Sequence, residues 1–218
     1  MLKWLVIGVG DITTKRVIPA ILSEPRSLLY GIVTRDPRKG YAYCGKVWTD
    51  LAEALADPEI DAVYVASPVY LHRPQTIAAL QAGKHVLCEK PVALNYSEAR
   101  EMVDAAARCG RTFGVSYYRR MYPSLQRAKV LLSEGAVGRP VLALCFAHDW
   151  FNDEDGRRAW LLDPGKAGGG ALFDTASHRI DALNFLFGKP LRATVQRSNV
   201  VHQTAVEDAA TLLVDYEC

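Results

Sequence analysis

A lysine that directly follows an apolar run is the first candidate for chemistry in this sequence. Residues 85–94 read HVLCEKPVAL, so a strand-like segment ends on Glu89, Lys90 and Pro91. Charged residues and proline are ordinary strand terminators, and such an ending needs no function to explain it. Open parallel sheets, however, bind ligands just beyond the carboxyl ends of their strands. Lys90 is therefore a candidate ligand-binding residue if this segment belongs to such a sheet.

A second candidate is an Asp/His pattern in the segment GGGALFDTASHRIDALNFLFG. Asp174, His178 and Asp181 follow one another at i, i+4 and i+7, which places them on one narrow face of a continuous helix. An Asp one turn before a His can hold one ring nitrogen and set the tautomer at the other. An ordinary amphipathic surface helix gives the same pattern. The nearby glycine run and Trp160 favour a pocket, and a metal is disfavoured because no third ligand cluster matches.

A third candidate is the pair of glycines at the end of the first apolar run, in GVGDIT. Two glycines at this spacing let backbone N–H groups approach a pyrophosphate, and the dipole of a following helix favours its charge. G-x-G alone is a weak signal, but its place after the first strand of a strand–helix–strand pattern strengthens it. Thr13 stands where the third small residue of the fingerprint is expected.

The end of the second apolar run bears on which dinucleotide binds. An acid at this place holds the ribose hydroxyls of NAD, whereas a guanidinium suits the 2′-phosphate of NADP. Thr34 and Arg35 come first and Asp36 follows, so the sequence favours NADP; an inward-turned Asp36 would favour NAD. A solvated turn accounts for the same residues.

The third long apolar run continues into a turn and a helix, AVYVASPVYLH. Ser67 and Pro68 mark the turn from strand to helix, and His72 falls in the first turn of the helix. In a doubly wound sheet this turn lies beside the nicotinamide half of a dinucleotide. Two interpretations of His72 stay open, a surface helix residue and a ligand contact.

These residues need a parallel sheet, and the pattern of the first half predicts one. Apolar runs without alternation, typical of strands covered on both faces, occur at 2–9, 28–33, 62–66, 85–88 and 112–116. Helical stretches separate them at about 12–23, 50–57, 71–82 and 97–109, as in right-handed βαβ units. The connection at 36–47 is too short for a full crossover helix, so that edge of the sheet is expected to be abbreviated.

The second half has a different pattern, typical of an α+β domain. We expect helices at 123–134 and 171–187, a polar loop at 149–170, and strands at 141–146, 191–199 and 208–215. Neither an internal repeat nor a low-complexity tract is present in the sequence.

Composition limits the class of protein and its partners. The 218 residues carry a net charge of +2, with no basic tract that would favour nucleic acid or an acidic membrane. The first apolar run is too short for a membrane span. Five scattered cysteines without CxxC spacing favour reduced thiols, and hence a cytoplasmic protein.

Five segments in order, GVGDIT, AVYVASPVYLH, AGKHVLCEKPVAL, DTASHRID and VEDAA, resemble the Gfo/Idh/MocA oxidoreductases, the family of glucose–fructose oxidoreductase and inositol dehydrogenase. The resemblance covers essentially the whole chain, and AGKHVLCEKP is its most specific part. It implies an α/β protein with an N-terminal Rossmann domain that binds NAD(P), assigned to 1–120. It also implies a C-terminal α+β domain, 121–218, whose open, incomplete, mainly antiparallel sheet would make a homo-oligomer interface.

The resemblance also implies roles for residues. Lys90 matches the active-site lysine, which would stabilise charge on the reacting oxygen. His178 matches the general acid/base and Asp174 its partner, in a hydride transfer between NAD(P) and a CH–OH or C=O group of a sugar, polyol or related compound. The bond before Pro91 is expected to be cis. The residues assigned to the cofactor are Gly8, Gly10, Asp11, Ile12, Thr13, Thr34, Arg35, Ser67, Pro68, His72, Glu89 and Lys90. Those assigned to the substrate are Lys90, Tyr117, Arg120, Trp160, Asp174 and His178, with His148 and Arg157 as further candidates.

The sequence departs from the family at its end. Members of the family normally continue through more strands, whereas this sequence stops at VDYEC, where we expect an unpaired strand edge. Two alternatives therefore remain beside the oxidoreductase. One is a non-catalytic dinucleotide-binding protein, a sensor or remnant, and the other is a glycosidase that acts through transient oxidation by a retained NAD.

Overall fold

The chain folds into two units, which follow each other in sequence at Ser116 and Tyr117. The computed structural model describes residues 1–154 and 156–217. The first unit is a six-stranded parallel sheet with helices, and the second combines helices with a two-stranded antiparallel sheet. The predicted fold class, a Rossmann-type α/β unit followed by an α+β unit, is confirmed.

The sheet of the first unit has the strand order β3-β2-β1-β4-β5-β6, and every neighbouring pair is parallel. This order reverses between β1 and β4, the topological switch point at which doubly wound sheets bind ligands. The strands are β1 (Leu2–Ile7), β2 (Ser27–Val33), β3 (Val47–Trp48), β4 (Ala62–Val65), β5 (His85–Cys88) and β6 (Phe113–Val115). The five predicted strands are present, and the abbreviated edge is β3, which has two residues.

Helices cover both faces of this sheet. Successive residues of a strand face opposite sides, so Leu5 packs in one core cluster and Val6 in the other. The first cluster includes Leu80 and Met102 from two helices, and the second includes Ile18 from another. The helices are α1 (Ile18–Ser23), preceded by a π-helical turn at Thr13–Val17, α2 (Pro37–Tyr41), α3 (Leu51–Leu55), α4 (His72–Gln81) and α5 (Tyr96–Cys109).

The ends of α5 show how local sequence sets an element. The side chain of Asn95 accepts a hydrogen bond from the backbone N–H of Glu98 at 3.0 Å, and the Glu98 carboxylate accepts from the N–H of Leu94 at 3.1 Å. This is a capping-box arrangement that satisfies two backbone donors at the helix start. Gly110, at φ 61°, ends the helix in the left-handed region.

The second unit differs from its predicted elements in two places. Residues 141–146 were expected to form a strand but have no regular structure, and their apolar side chains Val141, Leu142, Leu144 and Phe146 are exposed. The two strands described in this unit, β7 (Pro190–Ser198) and β8 (Ala209–Tyr216), pair with each other. Since a strand needs a ladder partner, an apolar sequence alone does not make one.

The predicted helix at 171–187 is interrupted. It consists of α8 (Ala171–Asp174) and α9 (Ser177–Phe187), with Thr175 and Ala176 between them. Asp174 therefore ends one helix and His178 lies in the first turn of the next, so the single continuous helix expected from the sequence is wrong. The other helices of this unit are α6 (Pro123–Ser133) and α7 (Pro164–Ala167).

The start of α8 is anchored by Glu207, which lies in the VEDAA segment just before β8. Its carboxylate oxygen Oε1 accepts hydrogen bonds from the backbone N–H groups of Gly170 (2.9 Å) and Leu172 (3.1 Å). The backbone carbonyl of Glu207 also accepts from the N–H of Ala171 at 3.1 Å. Glu207 thus satisfies the free donors at the start of α8 and fixes where this helix begins.

Replacing Gly170 by alanine tests this close approach. A Cβ at this position would lie 1.9 Å from the Glu207 carbonyl oxygen, a backbone atom that cannot turn away. We expect Gly170→Ala to lower the free energy of unfolding by at least about 2 kcal/mol, measured by urea denaturation. Gly45→Ala is the matched control, because a Cβ there meets no atom within 4 Å. Equal midpoints for the two variants would contradict the Gly170–Glu207 contact.

Candidate functional site in each unit

The glycine loop after β1 lies at the switch point of the sheet. Gly8 has φ 92°, which favours glycine, and a Cβ there would lie 2.9 Å from the carbonyl oxygen of Ala66, at the end of β4. A Cβ at Gly10 would meet no protein atom within 4 Å. Gly8 is thus required by the fold itself, whereas Gly10 is exposed and its backbone has no protein atom packed against its Cβ side. This cradle fits a pyrophosphate.

In the rest of this loop, the backbone N–H groups are better candidates for ligand contact than the side chains. Thr13 is fully buried, and its hydroxyl oxygen has no hydrogen-bond partner among the described residues. Asp11 is exposed and forms an ion pair with Lys15 at 2.6 Å, one turn along the helix. The first N–H groups of a helix have no intrahelical acceptor and suit an anion. Ile12 and Thr13 are therefore candidates for contact through their backbone.

The acid at the end of β2 is already bound within the protein. Asp36 accepts hydrogen bonds from the Arg38 guanidinium at 3.0 and 3.1 Å and from the Arg38 backbone N–H at 3.2 Å. The hydrogen bond from Arg38 holds the pKa of the Asp36 carboxyl below its ordinary value. Thr34 is half-buried and Arg35 is exposed. Asp36 thus caps α2, and Arg35 is the next group available at this strand end.

His72 is not a surface residue, and that interpretation is wrong. Its side chain is 1% exposed. Its Nε2 lies 2.8 Å from the carbonyl oxygen of Ser67, and its Nδ1 lies 3.0 Å from that of Pro91. Burial lowers the pKa of His72, although both carbonyls favour the protonated ring. His72 therefore links the turn after β4 with the turn after β5, and its buried ring is not open to a dinucleotide.

Other residues of the two turns remain accessible. Ser67 and Pro68 are half-buried, and the Ser67 hydroxyl donates to Gln75 Oε1 at 2.6 Å. Lys90 is half-buried, and the Lys90–Pro91 peptide bond is cis, as expected.

Glu89 is buried beside Lys90 in a chain of hydrogen bonds. Tyr64, on β4, donates from its hydroxyl to Glu89 Oε1 at 2.5 Å, and Ser116 lies 3.1 Å from the same hydroxyl. Glu89 Oε2 accepts from the backbone N–H of Lys90 at 3.1 Å. Burial, reinforced by the Glu89 charge, raises the pKa of Tyr64 strongly. The carboxylate therefore serves the backbone at this turn.

In the second unit, His178 is enclosed by two tyrosines. Its side chain is buried, and the rings of Tyr117 and Tyr118 meet it edge-on with centroid distances of 6.0 and 5.2 Å. Burial and the charge of Asp181 raise the pKa of Tyr117. Tyr117 and His178, both assigned from the sequence, are thus neighbours, and Tyr118 joins them.

Asp181 binds Arg120. The guanidinium of Arg120 donates two hydrogen bonds to the buried carboxylate, at 2.8 and 2.5 Å. This fork-to-fork pairing satisfies a carboxylate that would otherwise be costly to bury. Two of the Arg120 N–H donors are therefore committed to Asp181 and are not available to a substrate.

The remaining assigned residues lie on α8 or in the segment that precedes it in sequence. Asp174 is half-buried, and its carboxylate lies 3.9 Å from the guanidinium of Arg158. Trp160 is half-buried in a short 3₁₀ helix at Ala159–Leu162. His148 is exposed and stacks on Phe146, and Arg157 is exposed.

Four residues that sequence reasoning passed over belong to these sites: Tyr64, Arg38, Ser116 and Tyr118. Tyr64 is the one polar-tipped residue in an otherwise aliphatic strand, and that contrast was a usable signal. The other three depend on pairings between distant segments or across a turn, which the sequence pattern does not show.

Among the described residues, no group of three or more His, Cys, Asp or Glu side chains is placed to hold a metal ion. In the same residues, no helix combines the length and the apolar character that crossing a bilayer requires.

The first unit, with its glycine loop at the switch point of a 3-2-1-4-5-6 sheet, has the architecture of a dinucleotide-binding Rossmann unit. Sequence comparison agrees: residues 2–117 match the Gfo/Idh/MocA family described as "Oxidoreductase family, NAD-binding Rossmann fold". Residues 125–218 match the "GFO/IDH/MocA C-terminal domain". The chain belongs to the Gfo/Idh/MocA family.

Curated relatives include enzymes of carbohydrate chemistry. A 1,5-anhydro-D-fructose reductase of Ensifer adhaerens is 35% identical over 215 residues, which are 95% of this chain and 64% of that protein. A levoglucosan dehydrogenase of Pseudarthrobacter phenanthrenivorans is 36% identical over 143 residues, 65% of this chain and 36% of that protein. The chain thus spans less than two thirds of the length of these relatives.

Solved structures are similar in fold. A levoglucosan dehydrogenase in complex with NADH and levoglucosan superposes with a TM-score of 0.85 at 26% sequence identity. The superposition covers 99% of this chain and 64% of that one.

The two glycines of the loop give a matched pair of variants. We expect Gly8→Ala to destabilise the fold, because φ 92° and the Ala66 carbonyl both oppose a Cβ. Gly10→Ala should leave the thermal midpoint within about 2 °C of wild type, since surface changes without contacts cost little. It should weaken NADPH binding about tenfold or more, because its methyl group enters the space assigned to pyrophosphate. NADPH fluorescence and thermal melts measure both effects; unchanged NADPH affinity in Gly10→Ala would contradict the assignment.

Proposed function

We propose that this protein is an NAD(P)-dependent oxidoreductase that transfers a hydride between the nicotinamide and a CH–OH or C=O group of a sugar, polyol or related polyhydroxy compound. The observation that carries this proposal is the glycine loop at the β1/β4 switch point, where Gly8 approaches the Ala66 carbonyl, with Lys90 beyond the next strand end. The proposal is supported by relatives named as a 1,5-anhydro-D-fructose reductase and a levoglucosan dehydrogenase.

The nicotinamide, when bound, supplies or accepts the hydride, and the chain supplies the groups that handle charge and protons. Lys90 places an ammonium group where negative charge develops on the substrate oxygen. His178 takes the proton of the alcohol during oxidation and returns one to the carbonyl oxygen during reduction. Asp174 assists His178 as its charged partner. The buried position of His178 between two tyrosines supports this role, because burial excludes water that would compete with the substrate for the proton.

The substrate class follows from groups that can bind hydroxyls. Tyr117 offers a phenol beside His178, Arg120 its remaining N–H donors, and Trp160 an apolar ring face. Aromatic faces with a few fixed polar groups are typical of small-molecule sites. This combination suits a polyhydroxy molecule.

NADP is the favoured cofactor. Asp36 caps α2 and accepts three hydrogen bonds from Arg38, which compete with ribose hydroxyls for its carboxylate. Arg35 is exposed at the same strand end and suits the 2′-phosphate.

Domain assignment, location and assembly belong to the same proposal. Residues 1–120 bind the dinucleotide, and 121–218 bind the substrate and form a homo-oligomer through the sheet of β7 and β8. The protein works in a reducing cytoplasm without nucleic acid or membrane partners; the free thiols of Cys44, Cys88, Cys109 and Cys145 support this location.

Arg35→Ala tests the cofactor preference. The wild-type chain should bind NADPH more tightly than NADH, and the variant should lose about tenfold or more in NADPH affinity while NADH affinity stays nearly constant. Arg26→Ala is the control, since Arg26 is an exposed arginine of the same unit paired with Glu24. Fluorescence titration of the three proteins with each cofactor measures all six affinities. An equal loss for both cofactors, or a wild-type preference for NADH, would overturn the preference for NADP.

Lys90→Met tests the reaction itself. Removal of the ammonium group should lower turnover by about a hundredfold or more, with the Kd of NADPH nearly unchanged. Substrates come from a panel of sugars and polyols that includes 1,5-anhydro-D-fructose and levoglucosan, followed by NADPH absorbance. Lys166→Met, at an exposed lysine, should keep full activity. A wild-type chain that binds NADPH but turns over nothing would support the sensor or remnant, and cleavage of a chromogenic glycoside without net cofactor turnover would support the glycosidase.

A further inference from the structure

A chain of three side chains, two of them buried and one half-buried, joins the ends of β4, β5 and β6 behind the candidate catalytic lysine. Tyr64 is 6% exposed, and its hydroxyl lies 2.5 Å from Glu89 Oε1 and 3.1 Å from Ser116 Oγ. Glu89 is 7% exposed, and its other oxygen accepts the backbone N–H of Lys90 at 3.1 Å. The reaction proposed above uses none of Tyr64, Glu89 and Ser116.

We propose that Tyr64 is a positioning residue for Lys90: its hydroxyl fixes the Glu89 carboxylate, which in turn fixes the backbone of Lys90. The consequence for catalysis rests on the proposed oxidoreductase function, whereas the mechanical consequence does not. Neither Tyr64 nor Ser116 is assigned a contact with a reacting atom, and the Tyr64 hydroxyl acts through Glu89, to which it is bonded.

The direction of the hydrogen bonds follows from a count of protons. A phenol has one proton to donate, and the shorter contact, to an ionised carboxylate, takes it. Ser116 then donates its own proton to the Tyr64 oxygen. Burial and the nearby Glu89 charge raise the pKa of Tyr64, so the hydroxyl stays protonated and remains a donor across the working pH range. The order is therefore Ser116 to Tyr64 to Glu89.

Glu89 is also held through its backbone, so a fixed carboxylate fixes Lys90. The backbone N–H of Glu89 donates to the carbonyl of Val65 at 2.9 Å, which continues the ladder from β5 to β4. With both carboxylate oxygens bonded as well, the side chain cannot rotate without breaking a buried hydrogen bond. The N–H of Lys90 thus meets an acceptor whose position is set by three strands.

The far side of the same turn is held by His72. One ring nitrogen lies 3.0 Å from the carbonyl oxygen of Pro91 and the other 2.8 Å from that of Ser67. Lys90 therefore lies between two contacts, that of its own N–H with Glu89 and that of the Pro91 carbonyl with His72. Only the first of these depends on the Tyr64 hydroxyl, which makes Tyr64 the cleaner position to test.

Tyr64→Phe removes the hydroxyl and keeps the buried ring. Catalytic groups need placement within about 0.5 Å, and a shift of about 1 Å can cost up to about a hundredfold in rate. We expect kcat to fall about tenfold or more while KM and the Kd of NADPH change less than about threefold. Tyr30→Phe is the matched control: its hydroxyl also donates to a carboxylate, that of Asp57 at 3.0 Å, but this pair involves no proposed site residue. It should leave kcat unchanged.

A second readout needs no substrate. The Lys90 amide is protected from solvent exchange by its bond to Glu89, and ¹⁵N NMR follows its hydrogen exchange in the full chain. Tyr64→Phe should speed this exchange about tenfold or more relative to core amides of β1, and Tyr30→Phe should not. An unchanged Lys90 exchange rate in Tyr64→Phe overturns the proposal, whatever the activity of the protein.

A double-mutant cycle with Glu89→Gln tests whether Tyr64 acts through Glu89. If it does, adding Tyr64→Phe to Glu89→Gln changes kcat and Lys90 exchange little further, whereas independent actions would multiply. Multiplied effects would overturn the proposal. If the wild-type chain shows no turnover of any substrate, the oxidoreductase function fails by itself, and the exchange data still decide the role of Tyr64.

Discussion

The parallel direction of all six strands in the first unit is the constraint on which its candidate site depends. Parallel strands bring their carboxyl ends to one edge, so residues far apart in sequence gather there: Gly8 after β1, Ser67 after β4 and Lys90 after β5. The reversal of strand order between β1 and β4 opens a crevice at that edge. Gly8 can occupy it only because it lacks a side chain, since the Ala66 carbonyl leaves no room for a Cβ. The hydrophobic core on both faces fixes the sheet, and the sheet fixes the site.

Gathering polar groups at a strand edge has a cost, since several of them become buried. His72, Glu89 and Tyr64 are each less than 9% exposed. A buried polar group without a partner costs roughly 1–3 kcal/mol, so each of these is bonded to backbone or to another of them. The bonds that offset the burial cost also tie the turns after β4 and β5 together. The contacts that satisfy the buried polar groups are therefore also the contacts that hold the site rigid.

The sequence predicted what depends on local pattern and missed what depends on pairing at a distance. Unbroken apolar runs were enough to find five of the six strands, and the end of the β5 run was enough to single out Lys90. The segment 141–146 has a strand-like sequence but no ladder partner among the described residues, and helical periodicity could not show the interruption at 175–176. His72 was misjudged because its ring is buried where two turns meet, and only the fold brings these turns together. Its ring nitrogens contact one carbonyl from each turn. The candidate roles of Lys90 and His178 came from a family resemblance and remain predictions.

Buried carboxylates have the same task in both units. Glu89 accepts the N–H of Lys90, and Glu207 accepts two N–H groups at the start of the helix that ends on Asp174. In each case an acid in a family motif fixes the backbone beside a candidate catalytic residue instead of facing a ligand. An ionised carboxylate suits this task because a charged acceptor forms stronger hydrogen bonds to backbone donors than a neutral one. With both of its oxygens engaged in this way, Glu89 is poorly suited to proton transfer.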